Sequence, residues 1–248
     1  MDNHYKPIDL FKGIAVILMI IYHFYYFPHQ YGFTEIKYNT DLLKTFARMA
    51  QIIFILSVGI NLYFSKRTSQ EKEESEKEYT KKHFKRVGKL FLYALAMSIF
   101  TYFVFGDKFV KFGILHFIAL SSLLLFNFVE DKMIIGTIII LLVFIYGNHT
   151  NISLFDSVPK PLGFIMGINT AYPAVDHFPL IPWMILICLG ILIAPPIYEN
   201  RPKIYPNTAI TTALETTGKY SLEIYAIHWL ILYYIYCSVY PKYIRPNI

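Results

Sequence analysis

LFKGIAVILMIIYHFYYF, residues 10–27, decides how this chain is read. The stretch holds one cation, Lys12, and one imidazole, His23, in an otherwise apolar and aromatic run. A helix that crosses a bilayer needs roughly 20 mostly apolar residues. This run approaches that length, and no small-residue cleavage site follows it. It is therefore expected to be a retained span and not a signal peptide.

Six further runs repeat the pattern: Leu43–Phe64, Leu90–Phe105, Phe112–Phe128, Met133–Tyr146, Trp183–Tyr198 and Leu222–Tyr240. Met133–Tyr146 is the shortest. Of the 248 residues, 55% are hydrophobic and 16% charged, where a soluble domain carries about a quarter charged. The expected fold is all-α: a polytopic membrane helical bundle of about seven transmembrane helices, one domain over 1–248. The two cysteines, Cys188 and Cys237, both fall in apolar runs and imply neither a disulfide framework nor a Cys-based metal site.

A net charge of +6 in so apolar a chain is better explained by membrane orientation than by nucleic acid. With seven spans, the face holding the N-terminus carries 15 of the 23 Lys and Arg and the opposite face 8. The positive-inside rule then makes the N-terminus cytoplasmic and the C-terminus outside. Nine of the 15 lie in SKRTSQEKEESEKEYTKKHFKRVGK, residues 65–89, beside five glutamates. This reads as a charged cytoplasmic hairpin or linker, with Arg86 and Lys89 at the mouth of the third span. The longest outer segment, 147–182, contains two N-glycosylation sequons at Asn148 and Asn151 and the stretch AYPAVDHFPLIPW, residues 171–183. Its three prolines forbid continuous helix, so a re-entrant or capping loop is expected.

Each helical residue advances about 100°. Measured from Asp9, Lys12 lies near 300° and His23 near 320° by roughly that arithmetic, so all three share one stripe. Ionisable groups in a membrane face the bundle interior or a watery cavity. His23 lies 14 residues beyond Asp9, roughly 21 Å at 1.5 Å per residue, which places it in the outer half. His116, Asp176 and Arg48 are assigned to that same level, with His177 and Trp183 at the outer rim. On the seventh span Ser221, Tyr225 and His228 share a face, with His228 near mid-depth. His29 follows the first span.

A neutral imidazole is the usual side-chain base near neutral pH, and a carboxylate can orient it. That chemistry suits acyl transfer, in which a hydroxyl or amine loses a proton as it attacks a thioester. The chain has no nucleophile elbow, no Gly-rich phosphate loop and no HExxH zinc motif, and no metal is expected. Two other classes remain open on the residues alone: a proton-coupled transporter or permease, and a non-catalytic membrane partner protein.

KPIDLFKGIAVILMIIYHF, residues 6–24, resembles the opening of the heparan-α-glucosaminide N-acetyltransferase family of membrane acyltransferases, in its small prokaryotic form. The resemblance continues in order through IIFILSVGINLYFSKR (52–67), KFGILHFIALSSLL (111–124), DHFPLIPWMILICLGILI (176–193) and GKYSLEIYAIHWLIL (218–232). It implies acetyl transfer from cytosolic acetyl-CoA, a CoA thioester donor, to an outer-face acceptor such as a glycan amine or hydroxyl. It also implies an integral protein among membrane lipids, in a microbial plasma membrane, with a homodimer left open. In the lysosomal members an Asn on the first span and a His just beyond it serve the active site. His23 stands at the Asn-like position and His29 is the counterpart of the second, at a shorter spacing. Lys12 stands where the family usually has Arg. The resulting assignment is His23, His116, His29 and Asp176 for catalysis, Asp9, Lys12, Arg86 and Lys89 for the donor, and Arg48, His177, Trp183, Tyr225 and His228 for the acceptor.

Overall fold

The structure is a computed structural model, and it describes residues 5–30, 40–148, 155, 157–168, 172–201 and 207–239. A lipid environment offers no hydrogen bonds to the backbone, so apolar segments satisfy their own peptide groups as helices. Nine α-helices form among the described residues: α1 Lys6–Gln30, α2 Thr40–Glu71, α3 Glu76–Phe105, α4 Ile114–Leu125, α5 Lys132–Asn148, α6 Lys160–Met166, α7 Leu180–Glu199, α8 Ala209–Lys219 and α9 Ser221–Val239. Five of these (α1, α2, α3, α7 and α9) are long and apolar enough to cross a membrane; α4 and α5 are apolar but shorter. Large apolar side chains lie outward on the helices, among them Leu92 and Phe103 on α3, Ile140 and Phe144 on α5, and Ile231 and Tyr234 on α9. Exposed apolar surface on this scale marks a membrane-facing or partner-facing exterior.

The run Phe112–Phe128 becomes a helix of only 12 residues, roughly 18 Å long, which is less than the hydrocarbon thickness of about 30 Å. The helix starts after Gly113 and gives way to a turn in which Phe128 N–H donates to Leu125 O at 2.9 Å and Asp131 N–H to Phe128 O at 3.0 Å. The chain divides into two compact units, Met1–Ser57 with Pro202–Ile248, and Val58–Arg201.

In the first unit α1, α8 and α9 pack together. The approach of α1 to α8 depends on two glycines. A Cβ at Gly13 would strike the carbonyl oxygen of Leu214, and one at Gly218 the carbonyl oxygen of Asp9. Helix α8 is fixed at its start by a reciprocal cap: Thr211 N–H donates to Thr208 Oγ1 at 3.2 Å, and Thr208 N–H donates to Thr211 Oγ1 at 2.9 Å. Lys6 on α1 reaches Glu215 on α8 at 3.8 Å.

In the second unit the charged stretch 65–89 is the hairpin of α2 and α3. Ser75 caps α3 in a capping box with Glu78; Lys66–Glu76 joins the two helices and Lys82–Glu74 ties α3 to the turn, each at 2.5 Å. Residues Lys108–Phe112 and Val175–Phe178 run side by side. Val175 N–H donates to Lys108 O at 2.8 Å and Phe178 N–H to Phe112 O at 3.0 Å, with a parallel bridge between Phe112 and His177. The proline-rich stretch before α7 is thereby fixed against the entry to α4.

Candidate active site

Helix α1 carries Asp9 and Lys12 near its start and His23 three turns further on. Asp9 is 4% exposed and takes the Lys12 ammonium at 2.5 Å. The i, i+3 spacing puts both on one face, where Gly218 of α8 covers the Asp9 backbone.

His23 meets α9. Its Nδ1 lies 3.0 Å from Met19 O, one turn back on α1, and 3.3 Å from Nε2 of His228. His228 is buried, and its own Nδ1 lies 2.7 Å from Tyr225 O. A carbonyl oxygen only accepts, so each neutral imidazole carries its proton on Nδ1. His228 Nε2 is then a lone pair directed at the Nδ1–H of His23, which is shared between that lone pair and Met19 O. His23 Nε2 is left as a basic lone pair. The ring of Trp229 stands 5.0 Å from that of His23, and Tyr22 meets it edge-on at 5.2 Å. The hydroxyl of Tyr236, about two turns beyond His228 on α9, donates to Phe24 O and joins α9 to α1 beside His23. The arrangement is an oriented imidazole bordered by aromatic rings.

In the second unit His116 sits in the first turn of α4. Gly113 N–H donates to its Nδ1 at 3.3 Å, so the proton is on Nε2, 3.5 Å from Ser98 Oγ; that hydroxyl donates to Val110 O at 2.6 Å. Both ring nitrogens of His116 are therefore engaged. Asp176 accepts from Ile114 N–H at 3.4 Å, a carboxylate at a helix N-terminus. Burial pushes its pKa up to about 6, and the Ile114 hydrogen bond opposes that rise. His177 donates from Nε2 to Phe164 O at 2.9 Å and stacks on the Phe164 ring at 3.8 Å. Burial lowers its pKa, with the Phe164 bond acting the other way. Trp183 packs against Phe178 at 4.9 Å.

Residues 4–230 match the family heparan-alpha-glucosaminide N-acetyltransferase, catalytic. The chain belongs to that family. No curated protein and no solved structure matches it. Membership in the heparan-alpha-glucosaminide N-acetyltransferase family carries with it membrane acetyltransferase activity, with acetyl-CoA as the family's donor.

The remaining residues singled out in this family member are distributed as follows. Arg48, on the first-unit part of α2, is exposed and donates to Gln51 Oε1 at 3.2 Å. Arg86 donates to Ser65 Oγ at 2.5 Å and Lys89 lies over the Tyr93 ring at 5.7 Å, both on the α3 side of the charged hairpin. The backbone of α1 continues through His29, whose side chain lies outside the described residues, as does Asn151. Among the described residues no group of three or more His, Cys, Asp or Glu side chains could hold a metal ion. Sequence reasoning did not pair His23 with His228, nor did it find Ser98 behind His116. The only signal for the first pairing was that both histidines interrupt apolar helices at interior positions.

Proposed function

We propose that this protein is an integral-membrane acetyltransferase that moves the acetyl group of cytosolic acetyl-CoA to a hydroxyl or amine of an outer-face acceptor, a sugar or similar compound. The observation that carries the reading is the His23–His228 pair, 3.3 Å between nitrogens. Its carbonyl partners direct both Nδ1 protons and leave His23 Nε2 as the base. In the reaction, His23 Nε2 takes the proton of the acceptor's O–H or N–H as the oxygen or nitrogen attacks the thioester carbonyl. The C–S bond breaks, the acyl–oxygen or acyl–nitrogen bond forms, and the departing CoA thiolate receives the proton. His228 is the positioning residue: its Nε2 accepts from the His23 imidazolium while that charge exists, in the manner of a base-orienting third group.

The donor enters from the side rich in Lys and Arg. In the first unit Lys12, oriented by Asp9, is the cation offered to its phosphates, and in the second unit Arg86 and Lys89 are; Lys serves as a point charge and Arg as a guanidinium contact. In the second unit His116 and Asp176 shape the outer end of α4 and His177 and Trp183 are the acceptor-side residues; in the first unit Arg48, Tyr225 and His29 are. The N-terminus is cytoplasmic on this reading, in a microbial plasma membrane. The test is incubation of purified protein with acetyl-labelled acetyl-CoA and candidate amino and hydroxy sugars. Stoichiometric CoA release with label recovered on an acceptor supports the reading. Absence of CoA binding and of any acetylated product refutes it.

A further inference from the structure

A pocket of about 150 Å³ opens where α5 begins and α7 ends, walled by Tyr63 of α2, Ile191, Pro195 and Glu199 of α7, and Glu130 and Lys132 at the start of α5. Its charges are unequally committed. Glu130 is held by Arg67 at 3.5 Å and by Gln70 at 2.8 Å. Lys132 and Glu199 form no ion pair with any described residue. The pocket therefore presents one available ammonium and one available carboxylate across an apolar floor, with the Tyr63 hydroxyl beside them.

Size and position narrow the occupant. Pockets for drug-sized ligands run to about 300–1,000 Å³, so this one suits a headgroup-sized body and not a whole nucleotide cofactor. The first residue of α5 and the last of α7 mark the ends of apolar helices, the level at which phospholipid headgroups lie. Leu189 and Ile193, earlier on α7, are exposed apolar side chains. An anionic headgroup would meet Glu199 and Glu130 as well as Lys132. A choline headgroup has no N–H to donate to carboxylates or to a phenol, whereas a primary ammonium has three.

We propose that this pocket binds the phosphoethanolamine headgroup of a membrane phospholipid, with its phosphate against Lys132 and its primary ammonium against Glu199. The test is native mass spectrometry of the purified protein, titrated separately with short-chain phosphatidylethanolamine, phosphatidylcholine and phosphatidylglycerol, and with free phosphoethanolamine. Phosphatidylethanolamine is expected to be retained about tenfold better than the other two lipids, the scale of one charge-assisted hydrogen bond. Lys132→Ala and Glu199→Gln should each reduce that retention by about the same factor, with the lipid-free thermal midpoint unchanged because both side chains are exposed. Equal retention of the three lipids, or undiminished retention in both variants, would overturn the pocket assignment. Free phosphoethanolamine binding as tightly as the lipid would overturn the lipid as its source.

Discussion

His228 is the residue whose replacement discriminates most sharply between a working base and a packed core. It is 5% exposed, and its Nε2 lies 3.3 Å from His23 Nδ1. In the resting state both rings are neutral and the contact is an ordinary shared hydrogen bond. Once His23 accepts a proton, the same contact becomes a hydrogen bond to a charged group, worth about 1.5–3 kcal/mol. Only interactions stronger in the transition state than in the ground state raise the chemical rate. His228→Ala should therefore lower kcat roughly 10- to 150-fold with little change in the KM for acetyl-CoA. His228→Gln should recover most of that loss, because a glutamine oxygen can accept in place of Nε2. The assay is steady-state CoA release followed with a thiol reagent, alongside thermal unfolding to separate catalysis from folding. Groups that act as a unit are not additive, so His23→Ala/His228→Ala should be no slower than His23→Ala alone. Wild-type kcat in His228→Ala, or a double variant slower by the product of the two single losses, would refute the pairing as a catalytic unit.

Gly218→Val should lower the thermal midpoint by an amount corresponding to about 1–3 kcal/mol, because the new side chain meets the Asp9 carbonyl; an unchanged midpoint would show that α8 does not depend on this approach. Asp176 has a folded pKa raised from 3.8 to about 6, so its contribution favours the folded state most at low pH and is lost as pH rises through about 6. His177, lowered from 6.5, acts in the opposite sense: its contribution is present above its ordinary pKa and lost as pH falls through the lowered value. The difference in thermal midpoint between wild type and Asp176→Asn, measured from pH 4 to pH 7, isolates the first term and should move steadily in favour of the variant as pH rises. The double variant Arg86→Ala/Lys89→Ala, at two exposed positions, should bind CoA more weakly, with the deficit larger at low salt, where exposed charges are less screened; unchanged affinity would place the CoA site elsewhere. Cysteines introduced at Lys77 and Lys160 should label from the cytoplasmic and outer sides respectively, and the reverse pattern would invert the topology.

The helical character of the chain was legible because apolar runs of near-span length have few alternatives in lipid, and α1, α2, α3, α7 and α9 lie over runs read from the sequence. The fate of Phe112–Phe128 was not legible. Hydropathy cannot distinguish apolar residues of a helix from those of a turn, and Phe126 and Phe128 belong to the turn. Helix α8 was also missed, since AITTALETTGK is short and half polar. Its place is set by two glycines whose role appears only when α1 lies against them. The stripe of Asp9, Lys12 and His23 could be drawn from a 100° step because it concerns a single helix. The partner of His23 could not be. Helical geometry gives the face of each residue but not the relative height of two helices, so His228, set near mid-depth among acceptor residues, turned out to touch His23 directly. His116 looked like a second free imidazole. The backbone of Gly113 and the hydroxyl of Ser98 occupy its two nitrogens, and neither contact has a signature in sequence.

The most direct test of the central claim is a single-turnover measurement of acetyl transfer in His23→Ala, paired with a CoA-binding titration of the same preparation. A base at Nε2 contributes about 10²–10⁴-fold to the rate. His23 also lies roughly 21 Å along α1 from Asp9, too far for it to hold the donor's phosphates beside Lys12. The expected result is a transfer rate lower by that factor with CoA affinity unchanged. Transfer at the wild-type rate in His23→Ala would contradict the account and leave the His23–His228 pair as a feature of packing.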